Sequence, residues 1–382
     1  MASISRRNLL LAPAAFLGCG PRKATGFRGY CLVADRGGRA IAVVDLITFR
    51  MRQRIALDAA PAAIVPHPSK SKAFVLAPDA GTVYELDLAS MSVTRRARAG
   101  NVAIGMAIAP AKNALWVLYR DPAMLVELPL DNFRPRGRIK FGVPPDGFDM
   151  AEGNRAAVSF GQNRSIALVS LDHATVERTI PVESAPSFVL FRSDGKALVV
   201  GEGSQRRLTI FDVATGKTVV RLSLAIEPRH FCVSPDGGQV FLSGDGMDAV
   251  AILFPYDTEI WQTVLAGRAP GAMATVVSAT DPPYILYLLV ANPQTNTVTV
   301  LNGDTQTLAA LVQVGQSPGQ IVVTPDQKWA LVVNQQSGDL AVIRLLSLNA
   351  AQSERVLHYK TAPIFTMVRV GEHPVSAAIV GW

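Results

Sequence analysis

Pro186 opens the stretch that sets the fold: Ser187-Phe188-Val189-Leu190-Phe191, the polar turn Ser193-Asp194-Gly195-Lys196, the apolar run Ala197-Leu198-Val199-Val200, a third run closing on Ile210-Phe211-Asp212-Val213, and a fourth over residues 218–224. Four short apolar runs punctuated by Pro and Asp-Gly read as four strands joined by tight turns. The pattern returns along the whole chain. The residue closing each third run falls at 45, 87, 129, 170, 212, 254, 302 and 344, at intervals of 42, 42, 41, 42, 42, 48 and 42. Pro61, Pro145, Pro186, Pro228, Pro270, Pro318 and Pro374 each precede a first strand, and the copy at Asn101-Val102-Ala103 has lost its proline. The polar turn recurs as Ser234-Pro235-Asp236-Gly237 and Thr324-Pro325-Asp326-Gln327.

Four antiparallel strands per period of about 40–45 residues are the signature of a propeller blade. The expected fold class is all-β, with eight blades; a ring of seven with one degenerate copy is the alternative. The first copy holds only its last three strands, roughly residues 30–57, and a lone first strand begins at Pro374. The two complete each other, so the ring is expected to close where the C-terminal strand joins the N-terminal blade. Trp116, Trp261 and Trp329 sit inside strands and are expected in the core between blades, with Trp382 at the end of the closing strand. Two insertions lengthen the period, around residues 279–283 and 347–363. Cys31 and Cys232 fall three blades apart in this register and are expected to be free thiols, because a disulfide needs Cα atoms within about 7 Å.

Composition agrees. A chain of 382 residues with 49% hydrophobic content folds rather than staying disordered. Only 18% of residues are charged and the mean hydropathy is +0.25, yet no run reaches the roughly 18 apolar residues of a membrane-spanning helix. Lysine and arginine exceed acids by 37 to 30, a surplus that reads as scattered along the chain rather than gathered into a stripe. That speaks against a nucleic-acid partner.

Residues 1–19 read as an export signal, followed by a tether at 20–29 and a single propeller domain at 30–382. Arg6-Arg7 within Ser5-Arg6-Arg7-Asn8-Leu9-Leu10 resembles a twin-arginine signal, and Phe16-Leu17-Gly18-Cys19 resembles a lipoprotein box with Phe16 in the usual leucine position. The resemblance implies lipidation at Cys19 and a place in the periplasm or at the cell surface, with membrane contact only through the lipid. Leu289-Val290-Ala291-Asn292 through Leu301-Asn302, and Leu331-Val332-Val333-Asn334, resemble the strand, Asn-rich turn and strand of the YVTN-type β-propeller repeat family, to which YncE-like periplasmic proteins belong. The literal Tyr-Val-Thr-Asn is absent. The resemblance implies a propeller and leaves activity open, since propellers host binding modules, lactonases, dehydrogenases and haem enzymes.

In such a ring the loops between blades and those joining second to third strands gather on one face, where ligands collect. Arg36, Arg120, Glu202, Arg206, Arg229, His230, Glu372 and His373 are the candidate residues there. Their arginines suit an anionic or sugar-like ligand, or a protein partner. His230, His373 and Glu372 have the chemistry of a metal or catalytic cluster, but no fixed spacing joins them, no Gly-x-Ser-x-Gly elbow occurs, and Gly201-Glu202-Gly203 and Gly244-Asp245-Gly246 read as turn glycines. The expected function is a monomeric, non-catalytic binding module without a metal site or predicted cofactor. A lactonase-like hydrolase and a haem d1-type propeller are the alternatives, so haem stays open.

Overall fold

The computed structural model describes residues 26–277, 284–345 and 364–381. Among them thirty-two strands, β1–β32 in chain order, pair into eight antiparallel sheets of four. In blade 5, β16 (Phe188–Phe191), β17 (Ala197–Glu202), β18 (Arg207–Asp212) and β19 (Thr218–Ser223) run outward from the axis. Side-chain chemistry at the turns explains the repeat. Asp45 accepts the backbone N–H groups of Ile47 and Thr48 at 2.9 and 2.8 Å, Asp87 those of Ala89 and Ser90, and Asn302 those of Asp304 and Thr305. An Asp or Asn closing the third strand thus folds the turn into the fourth.

Blade 1 is built from both ends of the chain: β32 (Pro374–Gly381), β1 (Gly29–Asp35), β2 (Ala40–Asp45) and β3 (Arg50–Ala56), in that order from the axis. Leu32 pairs with Ala378 and Val43. The eight-copy count stands, and the seven-bladed alternative falls. The apolar runs are continuous rather than alternating because both faces of a blade are covered. Cys31 and Val33 enter a core shared with Leu331 and Val342 of blade 8, whereas Leu32 and Ala34 enter one shared with Val75 and Leu86 of blade 2. Eight such clusters occupy the eight junctions between neighbouring blades.

Two expectations are corrected. Trp116 and Trp329 are buried, but Trp261 is 60% exposed. It stands on β23 (Glu259–Leu265), an outermost strand with no further strand beyond it, edge-on to Phe254 at 5.8 Å. The basic surplus is gathered rather than scattered: it concentrates on the outer strands of blades 1–3, because side chains one period apart in sequence become neighbours around the ring. Cys31 and Cys232 are free thiols, and burial pushes the Cys31 thiol up to about 12, which keeps it protonated and unreactive. No helix among the described residues is long and apolar enough to cross a membrane. Residues 1–19, read as an export signal, both insertions and Trp382 lie outside the described residues.

Candidate ligand-binding face

Backbone hydrogen bonds join the two expected loop sets around the ring. Gly37 N–H donates to the Glu372 carbonyl at 2.8 Å, Asn101 to Asp121 at 2.7 Å, Ser187 to Gly201 at 2.7 Å, Gly271 to Ala291 at 2.8 Å and Gln335 to Ser317 at 3.0 Å. The pairs Gly37–Glu372 and Gln335–Ser317 each link an inter-blade loop to a loop between second and third strands, and the other three acceptors lie in the last two residues of a second strand, next to that loop, so both sets share one face.

Beneath it lies a layer of buried polar latches, ten positions before the Asp marker. Asp35, fully buried, accepts the N–H groups of Gly38 at 3.1 Å and Glu372 at 2.8 Å and pairs with Arg54. A side chain on Gly371, at φ +148°, would collide with this carboxylate. Glu202 accepts from Thr209 at 2.9 Å, Ser184 at 3.3 Å and Arg207. Asn292 donates to Thr299 at 2.8 Å and Asn334 to Asp339 at 2.7 Å. In blade 3 the Tyr119 hydroxyl donates to the Gly81 carbonyl at 3.2 Å.

All eight sequence-predicted residues lie along this rim, but they do not converge on one point. Arg36 pairs with Asp79 of the next blade at 3.0 Å, Arg120 with Asp146 at 2.7 Å, Arg206 with Glu227 at 3.7 Å and Arg229 with Asp245 at 2.6 Å. These arginines form a half-exposed belt stitching neighbouring loops. Glu202 is 1% exposed and held by blade 5 itself. It is a latch rather than a ligand contact. Glu372 and His373 belong to the loop entering blade 1, and the His373 carbonyl accepts the Arg36 N–H at 3.3 Å. His230 is three blades away, and no three His, Cys, Asp or Glu residues gather as a metal site among the described residues.

The axial wall has its own chemistry. On β20 (Glu227–Val233), the inner strand of blade 6, a bulge between Pro228 and His230 leaves Arg229, His230 and Phe231 exposed. His230 pairs in register with Ser243 and Phe231 with Leu242, so the two side chains lean to opposite sides of the strand. His230 has no hydrogen-bond partner among the described residues. Burial lowers its pKa, the neighbouring Arg229 lowers it further, and Asp245 only partly opposes them; the imidazole is neutral at neutral pH. Asp149, on β12 (Gly147–Ala151), was missed by the sequence reading. Burial raises its pKa against the Phe191 N–H that it accepts at 2.7 Å. Its one signal is an acid in the middle of an inner strand, Gly-Phe-Asp-Met-Ala. At the rim, a groove of about 510 Å³ between blades 1 and 2 is lined by Asp58, Tyr84, Arg96 and Arg98. Tyr84 holds the Asp58 carboxyl below its usual range by a hydrogen bond, and burial followed by that same acid pushes the phenol up to about 12.

Ring and loops together define an eight-bladed β-propeller with a loop-built face over its axis. No family model matches the chain, and no curated protein matches it. Solved structures do. A structure described as dihydro-heme d1 dehydrogenase NirN in complex with DHE superposes with a TM-score of 0.76 at 15% identity, covering 97% of this chain and 79% of that one. Hydrazine synthase from Kuenenia stuttgartiensis superposes with a TM-score of 0.58 at 20% identity, covering 75% of this chain and 96% of that one. At these identities the likeness is one of fold.

Proposed function

We propose that this chain is an exported, membrane-tethered propeller of the YVTN type that binds a small anionic or sugar-like ligand, or a protein partner, on the loop face without catalysing a reaction. The observation that carries the reading is the bulge on β20, which leaves three consecutive residues, Arg229, His230 and Phe231, exposed on the inner strand of blade 6, with His230 free of any hydrogen-bond partner among the described residues and Arg229 paired with Asp245. A guanidinium, a neutral imidazole and an aromatic ring on consecutive residues of one exposed strand segment suit a ligand with a carboxylate or hydroxyl group on an apolar body. The twin-arginine and lipoprotein patterns support export and anchoring. A lactonase-like hydrolase built on His230 and Glu372 would need the two side chains beside one bound ring, and they stand three blades apart. The test is calorimetry of the purified protein against uronic acids, sugar phosphates and dicarboxylates. Binding that weakens at least tenfold in Arg229→Gln and His230→Ala is the expected result; binding indifferent to both overturns it.

The second reading is a haem d1-type tetrapyrrole site, favoured by one feature of this chain: a neutral imidazole without a partner beside an exposed guanidinium. His230 would ligate iron and Arg229 would pair with a ring carboxylate. The visible absorption spectrum of protein mixed with an iron tetrapyrrole decides it: a shifted band lost in His230→Ala supports this reading, and an unchanged spectrum removes it.

A further inference from the structure

The outer strands of blades 1, 2 and 3 are β3, Arg-Met-Arg-Gln-Arg-Ile-Ala; β7 (Ser92–Arg98), Ser-Val-Thr-Arg-Arg-Ala-Arg; and β11 (Arg136–Lys140), Arg-Gly-Arg-Ile-Lys. They hold nine cations and no acid. The other five outer strands together hold three cations, Arg178, Arg221 and Arg369, and two acids, Glu177 and Glu259. Carboxylates from elsewhere neutralise part of the cluster, since Arg54 pairs with Asp35, Arg95 with Glu85, Arg96 with Asp58 and Arg136 with Glu127. Arg50, Arg52, Arg98, Arg138 and Lys140 are exposed and form no ion pair among the described residues.

This basic arc borders exposed apolar side chains. Ile47 and Met51 of blade 1 and Phe365 and Met367 on β31 (Ile364–Arg369) of blade 8 are all exposed. Between β3 and β31 runs a groove of about 620 Å³ with Arg50 and Arg369 among its lining residues. The described chain also begins here, with Gly26 against the backbone of Leu46 and Ile47. Gly26 follows Cys19 by seven residues, a span of at most about 24 Å of chain.

We propose that this outer edge, from β31 across β3 to β7 and β11, docks on an anionic phospholipid surface. Apolar side chains that enter the headgroup layer, ringed by cations that pair with lipid phosphate, are the mixture an interfacial surface needs. Arginine, eight of the nine cations, grips phosphate oxygens with two donors at once. A lipid on Cys19 would bring this same blade to the bilayer; in that clause alone the inference rests on the anchoring reading, because the charge and the exposed apolar groups belong to the folded ring.

The test is flotation of full-length protein with Cys19→Ser, which carries no lipid, on vesicles of phosphatidylcholine alone or mixed with phosphatidylglycerol. The expected result is binding to the anionic vesicles only, lost as salt rises from about 0.05 to about 0.5 M because the Debye length shrinks severalfold. Combined Arg50→Gln, Arg138→Gln and Lys140→Gln should lower the bound fraction at least tenfold. Ile47→Ser with Met367→Ser should lower it severalfold, and Trp261→Ser with Leu308→Ser, elsewhere on the rim, should leave it unchanged. Equal binding to neutral vesicles, no binding at low salt, or indifference to the arginine variants overturns the inference; so does capture by an acidic polymer such as polyglutamate without vesicle flotation. Failure of the anchor itself reads out separately, as unmodified protein found outside the membrane fraction of cells.

Discussion

The same rim is held twice, by a buried layer of latches and by an exposed belt of ion pairs, and the two layers do different physical work. Asp35 and Glu202 are shielded from water and accept several donors each, so each fixes the path of more than one backbone segment. The belt pair Arg36–Asp79 is 46% and 73% exposed on its two sides, where water and salt replace a lost partner at little cost. Chemistry that looks alike in sequence, an arginine near an acid, therefore contributes through burial rather than through charge.

Removing Asp35 should have the largest effect, because Asp35→Ala strips Arg54 and two loop N–H groups of their acceptor; a loss of about 4 kcal/mol of stability in urea denaturation is expected. A loss below about 1 kcal/mol would place Asp35 with the belt and dissolve the distinction. Acid probes the same contrast toward the opposite face, at Glu85. Burial alone would raise the pKa of this carboxyl, but hydrogen bonds from Arg95, Lys72 and Thr94 outweigh it and hold it down at about 2. The folded state thus takes up this proton less readily than the unfolded chain, whose ordinary value is 4.5. The contribution, about 3 kcal/mol, is present in full above pH 4.5 and disappears as the pH falls toward 2. Wild type should lose stability more steeply over that window than Glu85→Gln; parallel curves would show that the clamp is not charge-dependent. Asn292→Ala should cost less, about 1–2 kcal/mol, since it breaks the bond to Thr299 while removing an oxygen that has no partner in the fold. Smallest of all, Arg36→Ala should stay below about 1 kcal/mol and vanish at high salt. A larger effect would mean that the belt, too, is structural.

The blade count is legible in sequence because the strand-closing Asp and the proline before each first strand do local work, capping a turn and starting a strand, and so recur at the spacing of the repeat. The loop face is legible for the same reason. What those loops do with their charges is not, because a partner such as Asp79 for Arg36 lies one blade away and neither residue announces the pairing. Glu202 sits in a Gly-Glu-Gly turn like any exposed loop acid, and only the fold shows Arg207 and Thr209 closing over it. The arginine arc is hidden more deeply, in three clusters at residues 50–54, 95–98 and 136–140 that a linear reading counts as dispersed. Trp261 was misplaced because a strand's pattern does not say whether it is third or fourth from the axis.

The pairing of β1 with β32 sets the order of events as the chain is made. Every other blade draws its four strands from one continuous stretch, and can form as soon as that stretch leaves the ribosome. Blade 1 must hold three strands open at their inner edge, from Gly29 onward, until Pro374–Gly381 arrives. A chain broken off anywhere before Pro374 keeps an unpaired edge at the axis and cannot complete the ring, so closure doubles as a check that synthesis has run through all eight blades. On the proposed reading of Arg6-Arg7 as a signal that moves folded cargo, the closing strand would act as the permit for departure.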